Sequence, residues 1–199
     1  MVNPGARKIA DFVSLVLNAP IIAFFTFLAL LLAGNAQDLW MDLAVVATFG
    51  TVVPLVVIFF LLRRGIIADF YASDRQARML PFIGALTSYL LGTFTFITVR
   101  ATPIIVATMF CYFGNSLIMM LITFRWKISI HASGITGPAT VLIYYLGLRW
   151  LPFLLLVVPV GWARIRLGVH TLGQVSAGAV LTIATTWLQL ELILNHILV

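Results

Sequence analysis

The sequence predicts an all-α polytopic membrane protein, a helical bundle of six or seven transmembrane helices. Hydrophobic residues make up 62% of the chain and charged residues 9%, against roughly 25% charged in soluble domains. The apolar residues also fall in long runs without the two-residue alternation of half-buried strands. In lipid every backbone N–H and C=O needs a partner inside the protein, which runs of this length achieve as helices, whereas barrel strands would alternate. A chain of 199 residues holds at most about nine spans of roughly 20 residues. A single membrane domain over 1–199 therefore uses nearly all of it.

The apolar segments lie at about 12–33, 41–62, 80–99, 103–124, 131–148, 150–163 and 171–195, separated by charges, Gly or Pro. The first follows Arg7 and Lys8 and ends near Ala33-Gly34-Asn35-Ala36, which imitates a signal-peptidase site. It is longer than a usual signal core and is read as the first helix. The sixth is short and carries Pro152 and Pro159, so it could be tilted, broken or partly re-entrant, and the count is six or seven. Trp40, Trp126, Trp150 and Trp162 lie near segment ends, where interfacial anchoring accounts for them. Cys111 is the only cysteine and sits inside an apolar run, which excludes a disulfide framework and a cysteine metal site.

Charge inside a bilayer costs a few kcal/mol per group, so charged residues mark loops or a polar site. The net charge of +6 suggests anionic headgroups or an anionic substrate; no nucleic-acid partner is expected. Three basic clusters stand out: Arg63-Arg64 to Arg78, which includes Arg75, then Arg125-Trp126-Lys127, then Arg164-Ile165-Arg166. Two crossings separate each from the next, so all three are expected at one membrane face. His131 and His170 directly follow the second and third clusters. Imidazole can attack phosphorus or protonate a leaving oxygen near neutral pH. Guanidinium forks match phosphoryl oxygens, and a helix N-terminus beside each histidine adds free N–H groups. The set describes a site for an anionic phosphate.

These residues resemble the signatures of the type 2 phosphatidic acid phosphatase superfamily. The stretch from Arg164 through His170 to Gln174 resembles the third signature, Ser-Arg, five residues, His, three residues, Asp. Lys127-Ile128-Ser129-Ile130-His131 resembles the second, Pro-Ser-Gly-His, and Asp74-Arg75-Gln76-Ala77-Arg78 with Pro81 resembles a degenerate first signature, Lys, six residues, Arg-Pro. The likeness covers about residues 74–178, within a motif-bearing core of about 71–195. It implies that His170 is the nucleophile forming a phosphohistidine and His131 the general acid. It implies too that Arg75, Arg78, Lys127, Ser129 and Arg164 bind phosphoryl oxygens, with no cofactor and no metal. The implied activity is hydrolysis of a lipid phosphate or diphosphate, of the phosphatidic acid, phosphatidylglycerophosphate or polyprenyl diphosphate class.

The chain departs from the family in four places. Gln174 replaces the Asp that orients the nucleophile; an amide can fix the ring tautomer but lacks the charge to stabilise an imidazolium. Tyr71 stands where the first signature has Lys, with Arg75 as the substitute on the same helical face. Ile128 and Ile130 replace Pro and Gly, and two apolar segments separate the first and second signatures. Arg7, Lys8, Arg63 and Arg64 read as topology anchors, Arg166 as a headgroup contact and Asp74 as a cap or a buffer for the arginines. Alternatives are a phosphotransferase of the same family, a non-enzymatic anionic-lipid transporter, and a membrane prenyl transferase, which would need paired Asp-rich motifs. With seven crossings every Lys and Arg except Arg100 and Arg149 shares the side of the motifs, so the positive-inside rule predicts a cell-membrane protein with a cytoplasmic site. Which lipid it takes and its oligomeric state stay open.

Overall fold

The computed structural model describes residues 4–34, 38–70 and 74–197. Among them there is no strand, and nine α-helices follow one another: α1 (Pro4–Val16), α2 (Ala19–Ala33), α3 (Leu39–Val45), α4 (Val53–Arg63), α5 (Met79–Thr98), α6 (Pro103–Thr123), α7 (Ile130–Leu146), α8 (Val157–Arg166) and α9 (Leu172–His196). A π-helical stretch, Val46–Val52, fuses α3 and α4 into one rod from Leu39 to Arg63. Pro54 has no N–H to offer the preceding turn, and a π turn accommodates that gap. Ser88 Oγ of α5 donates to Phe49 O in this stretch at 2.7 Å, the kind of side-chain repair that irregular backbone needs in lipid.

Five helices are long and apolar enough to cross a membrane: Leu39–Arg63, Gln76–Thr98, Pro103–Thr123, Leu148–Arg166 and Leu172–His196. The pair α1 and α2, bent by 43°, makes six if taken as one span. All seven apolar segments of the sequence are thus helical, with irregularity in the first as well as the sixth. The sixth, which could be tilted, broken or partly re-entrant, runs without reversal from a 3₁₀ start at Leu148–Leu156 into α8. Pro152 sits in the 3₁₀ part and Pro159 in the first turn of α8, where a missing N–H costs little. The first segment, expected to be one helix, is broken instead: Asn18 adopts an extended conformation and Pro20 opens α2.

α7 forms the centre. It has 17 residues and packs against α2, α6, α8 and α9. Most of its positions from His131 to Leu142 are buried. The main apolar core lies toward the end of the bundle away from the histidines, around Phe27, Phe96, Ile105, Met109, Leu142 and Leu190. Large apolar side chains such as Phe25, Phe59, Phe94, Val158, Val180 and Leu188 cover the outside, a surface suited to hydrocarbon rather than water.

Close helix approaches depend on glycine. A Cβ on Gly178 of α9 would lie 2.6 Å from Ser129 O, a backbone atom just ahead of α7. Ser129 N–H donates to Gln174 O at 3.2 Å in the same contact. Gly178→Ala should therefore push α9 off the start of α7 and destabilise the protein by about 1–3 kcal/mol. Gly173→Ala, whose Cβ would meet only Thr171 Oγ1 at 3.9 Å, should be neutral or stabilising. Denaturant unfolding in detergent distinguishes them, and equal stabilities would show that the α7–α9 contact yields freely.

Candidate functional site

Three chain reversals at one end of the bundle bring the polar residues together. α8 ends at Gly168, whose φ of +71° is costly for any residue with a Cβ. The reversal lets Val169 N–H and His170 N–H both donate to Arg164 O, at 3.1 and 3.2 Å. The five-residue spacing between Arg164 and His170 is thus the length of one helix end plus a glycine turn. α9 restarts at Thr171, whose Oγ1 accepts from Gln174 N–H at 3.3 Å while Gln174 Oε1 accepts from Thr171 N–H at 3.2 Å. This reciprocal cap was readable as Thr-x-x-Gln in the sequence, although the spacing drew attention only to the histidine.

The cap also orients the imidazole. A backbone N–H can only donate, so the amide oxygen of Gln174 faces Thr171, and that same oxygen lies 3.1 Å from His170 Nδ1. Nδ1 therefore carries the proton and Nε2 keeps its lone pair. Arg78 Nη2 is 3.4 Å from that Nε2, and Arg78 Nη1 donates to Ile128 O at 3.1 Å. Burial and then the Arg78 charge push the His170 pKa down to about 3, against a smaller upward pull from the Gln174 hydrogen bond. The imidazole is accordingly neutral across physiological pH.

Positive charge accumulates around this pair. Arg78 is 2% exposed and Arg164 0%, and each lies within electrostatic range of the other, of His131 and of His170. His131 sits in the first turn of α7 and is buried. Lys127, half-buried at the rim, has its pKa lowered by burial and by Arg78 and Arg164. Asp69 and Asp74 are the acidic groups that reach Arg78 and Lys127. Asp74 Oδ2 also accepts from Ala77 N–H at 3.4 Å, a cap on the turn that holds Arg78.

Two residues of the expected phosphate-binding set are engaged at helix ends. Arg75 Nη1 donates to Phe124 O at 2.7 Å and Thr123 O at 3.5 Å, closing the C-terminus of α6. Arg75 and Arg78 thereby staple the two ends of the α6–α7 linker. Ser129 is fully buried, and its Oγ accepts from Ala132 N–H at 3.4 Å as the N-cap of α7. Ile128 buries its side chain with Phe82 and Met119 while its carbonyl receives Arg78. Arg166 is exposed. Tyr71 lies outside the described residues.

Among the described residues no three His, Cys, Asp or Glu side chains gather as metal ligands do. The arrangement can hold a small polyanion between Arg78, Arg164 and Lys127 with an imidazole lone pair beside it. The chain matches no family model, no curated protein and no solved structure.

Since the Arg78 charge helps to hold His170 neutral, Arg78→Gln should move the His170 titration upward from about 3. The sign follows from linkage: between the folded pKa and the ordinary value near 6.5 the unfolded chain binds the extra proton, so lowering pH through that window destabilises the fold. ¹⁵N-imidazole NMR reads both the titration and the tautomer. A His170 signal protonated on Nε2 at neutral pH would contradict the assigned orientation.

Proposed function

We propose that the chain is a metal-independent membrane phosphatase that hydrolyses a lipid phosphate or diphosphate through a phosphohistidine, as a divergent relative of the type 2 phosphatidic acid phosphatases. The observation that carries the proposal is the pairing of buried Arg78 and Arg164 around a neutral His170 whose Nε2 lone pair is free of a proton. Two buried guanidiniums of like charge repel, and a phosphate dianion between them converts that repulsion into binding.

His170 Nε2 attacks phosphorus and the P–O bond to the lipid breaks, with Arg78, Arg164 and Lys127 neutralising the equatorial oxygens. The leaving oxygen takes a proton from His131, which enters the step as imidazolium once the bound phosphate dianion offsets the Arg78 and Arg164 charges, giving the lipid alcohol, or a lipid monophosphate when the substrate is a diphosphate. Water then adds to phosphorus, returns a proton to His131, and the P–N bond breaks to release inorganic phosphate. Gln174 keeps Nδ1–H oriented throughout, but as a neutral amide it offers less stabilisation to the charged phosphoimidazole than a carboxylate. A lipid is the expected substrate because the site opens between helices rather than onto a soluble domain.

Purified protein should release phosphate from a panel of lipid phosphates, retain that activity in excess EDTA and be inhibited by vanadate. His170→Ala should abolish release while leaving the helical signal intact. Gln174→Ala should slow it ten- to a hundredfold, about 1–3 kcal/mol of barrier. Phosphate release by His170→Ala would remove the nucleophile assignment, and a strict magnesium requirement would favour prenyl transfer.

The cytoplasmic orientation is part of the same proposal, because all basic residues but Arg100 and Arg149 fall on the site's side if every apolar segment crosses. In a Cys111→Ser background, a cysteine at Gly65 should resist a membrane-impermeant maleimide in intact cells and one at Gln37 should react. Labelling at Gly65 would place the site outside.

A further inference from the structure

The elbow between α1 and α2 has a counterpart inside the bundle. α1 bends away to pack on α8, α2 packs on the π-helical stretch, and α4 packs on α5. At the end of the bundle that holds the histidines, the bend and the α4–α5 pair therefore part company. A cleft opens between them, walled by Asn18, Pro20, Pro54, Ile58, Phe82 and Ala85. Its polar end is formed by Arg78 and His131. Deeper in, a second chamber continues past Ser116, Tyr89 and Ile130, which line both spaces. The chamber reaches Gly137, Cys111 and Val141, and Cys111 and Val141 already belong to the main apolar core.

The deep chamber is hospitable to hydrocarbon along α7 and α9 in spite of Asn115, Ser133 and Thr186, because these three bond across helices. Asn115 Nδ2 donates to Thr186 Oγ1 at 2.8 Å, and Asn115 Oδ1 accepts from Thr185 Oγ1 at 2.7 Å and Gln189 Nε2 at 3.0 Å. Ser133 Oγ accepts from Thr182 Oγ1 at 2.8 Å. The hydrogen-bonding capacity of these three is spent between α6, α7 and α9, while Tyr89, Tyr112 and Ser116 bring hydroxyls to the lining.

We infer that this cleft and chamber hold one hydrocarbon chain of the lipid whose phosphate sits at Arg78 and His170, and that the core residues Cys111 and Val141 at the far end of the chamber make the protein selective for chain length. The inference rests on the lipid phosphate reading above. The chain enters sideways from the bilayer at the elbow, with its head at the cationic cluster and its tail running along α7. From His131 to Val141 that helix rises roughly 15 Å at 1.5 Å per residue, so a hexyl chain stops in the outer cleft whereas a hexadecyl chain fills the chamber. Any second chain of the lipid stays in the bilayer. Ser116, at the junction, is the residue that decides passage.

The test is ligand stabilisation of the full-length protein in detergent by hexyl and hexadecyl phosphate, since a ligand bound to the native state raises the unfolding temperature with the logarithm of its concentration relative to Kd. Hexadecyl phosphate should bind wild-type protein about tenfold or more tightly than hexyl phosphate. Ser116→Phe, which plugs the junction, should erase that preference, while Leu188→Phe on the lipid-facing side of α9 should keep it. Equal binding of the two phosphates by wild-type protein, or an undiminished preference in Ser116→Phe, would overturn the inference. Chain-length-dependent binding without phosphate release would sustain the chain site and refute the phosphatase reading. Release that ignores chain length, with equal binding, would do the reverse.

Discussion

Burying Arg78 and Arg164 side by side is the constraint around which the bundle is organised. Guanidiniums withdrawn from water lose several kcal/mol of solvation each unless polar groups replace it. For Arg78 the protein supplies that replacement from the Ile128 carbonyl and from the capped imidazole, with Asp69 and Asp74 contributing negative charge at longer range. Each contribution comes from a different reversal of the chain. Moving any one of them, whether the Gly168 turn, the Ile128 linker or the Asp74 cap, would leave Arg78 less compensated. The polar end of the molecule is held by this demand, and the apolar end by packing.

This division explains why polar side chains in the middle of the bundle have a different character. Asn115, Thr182, Thr185, Thr186, Gln189 and Ser133 pair among themselves along α6, α7 and α9, which is how helices adhere in a solvent as apolar as their own side chains. They carry no net charge and present no titrating group near the histidines. Glycine serves the same adhesion, since Gly84, Gly134 and Gly178 each admit a neighbour that a Cβ would displace.

Much of the fold was legible because hydropathy reports length and polarity directly: all seven apolar stretches are helical, five of them each a single rod ending within a few residues of its expected ends. What hydropathy reads through is conformation. Pro20 lies in a run as apolar as any other, and only the preceding Asn18, extended at φ −76° and ψ 145°, reveals that two helices meet there. In the site, Arg164, His170 and Gln174 were legible because local turn geometry sets their spacing. The division of labour between Arg75 and Arg78 was not. Both side chains reach the α6–α7 linker, and which one takes the helix end depends on where α6 stops, a tertiary fact with no signature in the first motif. Ser129 shows the same ambiguity, since a serine before a helix serves equally as cap and as ligand.

The elbow at Leu17–Asn18 also bears on how the molecule is made. α1 leaves the ribosome well before its packing partner α8, which begins only at Val157. Until then α1 carries exposed Ile9, Phe12 and Leu15 with no helix against its inner face, where Ala10 and Ser14 will be buried. Contacts separated by most of the chain form late and at an entropic cost. The amphipathic character of α1, with Arg7 and Lys8 beside those apolar residues, suits it to rest at the bilayer surface in the interval. Docking of this waiting helix against α8 therefore has to follow the synthesis of most of the bundle.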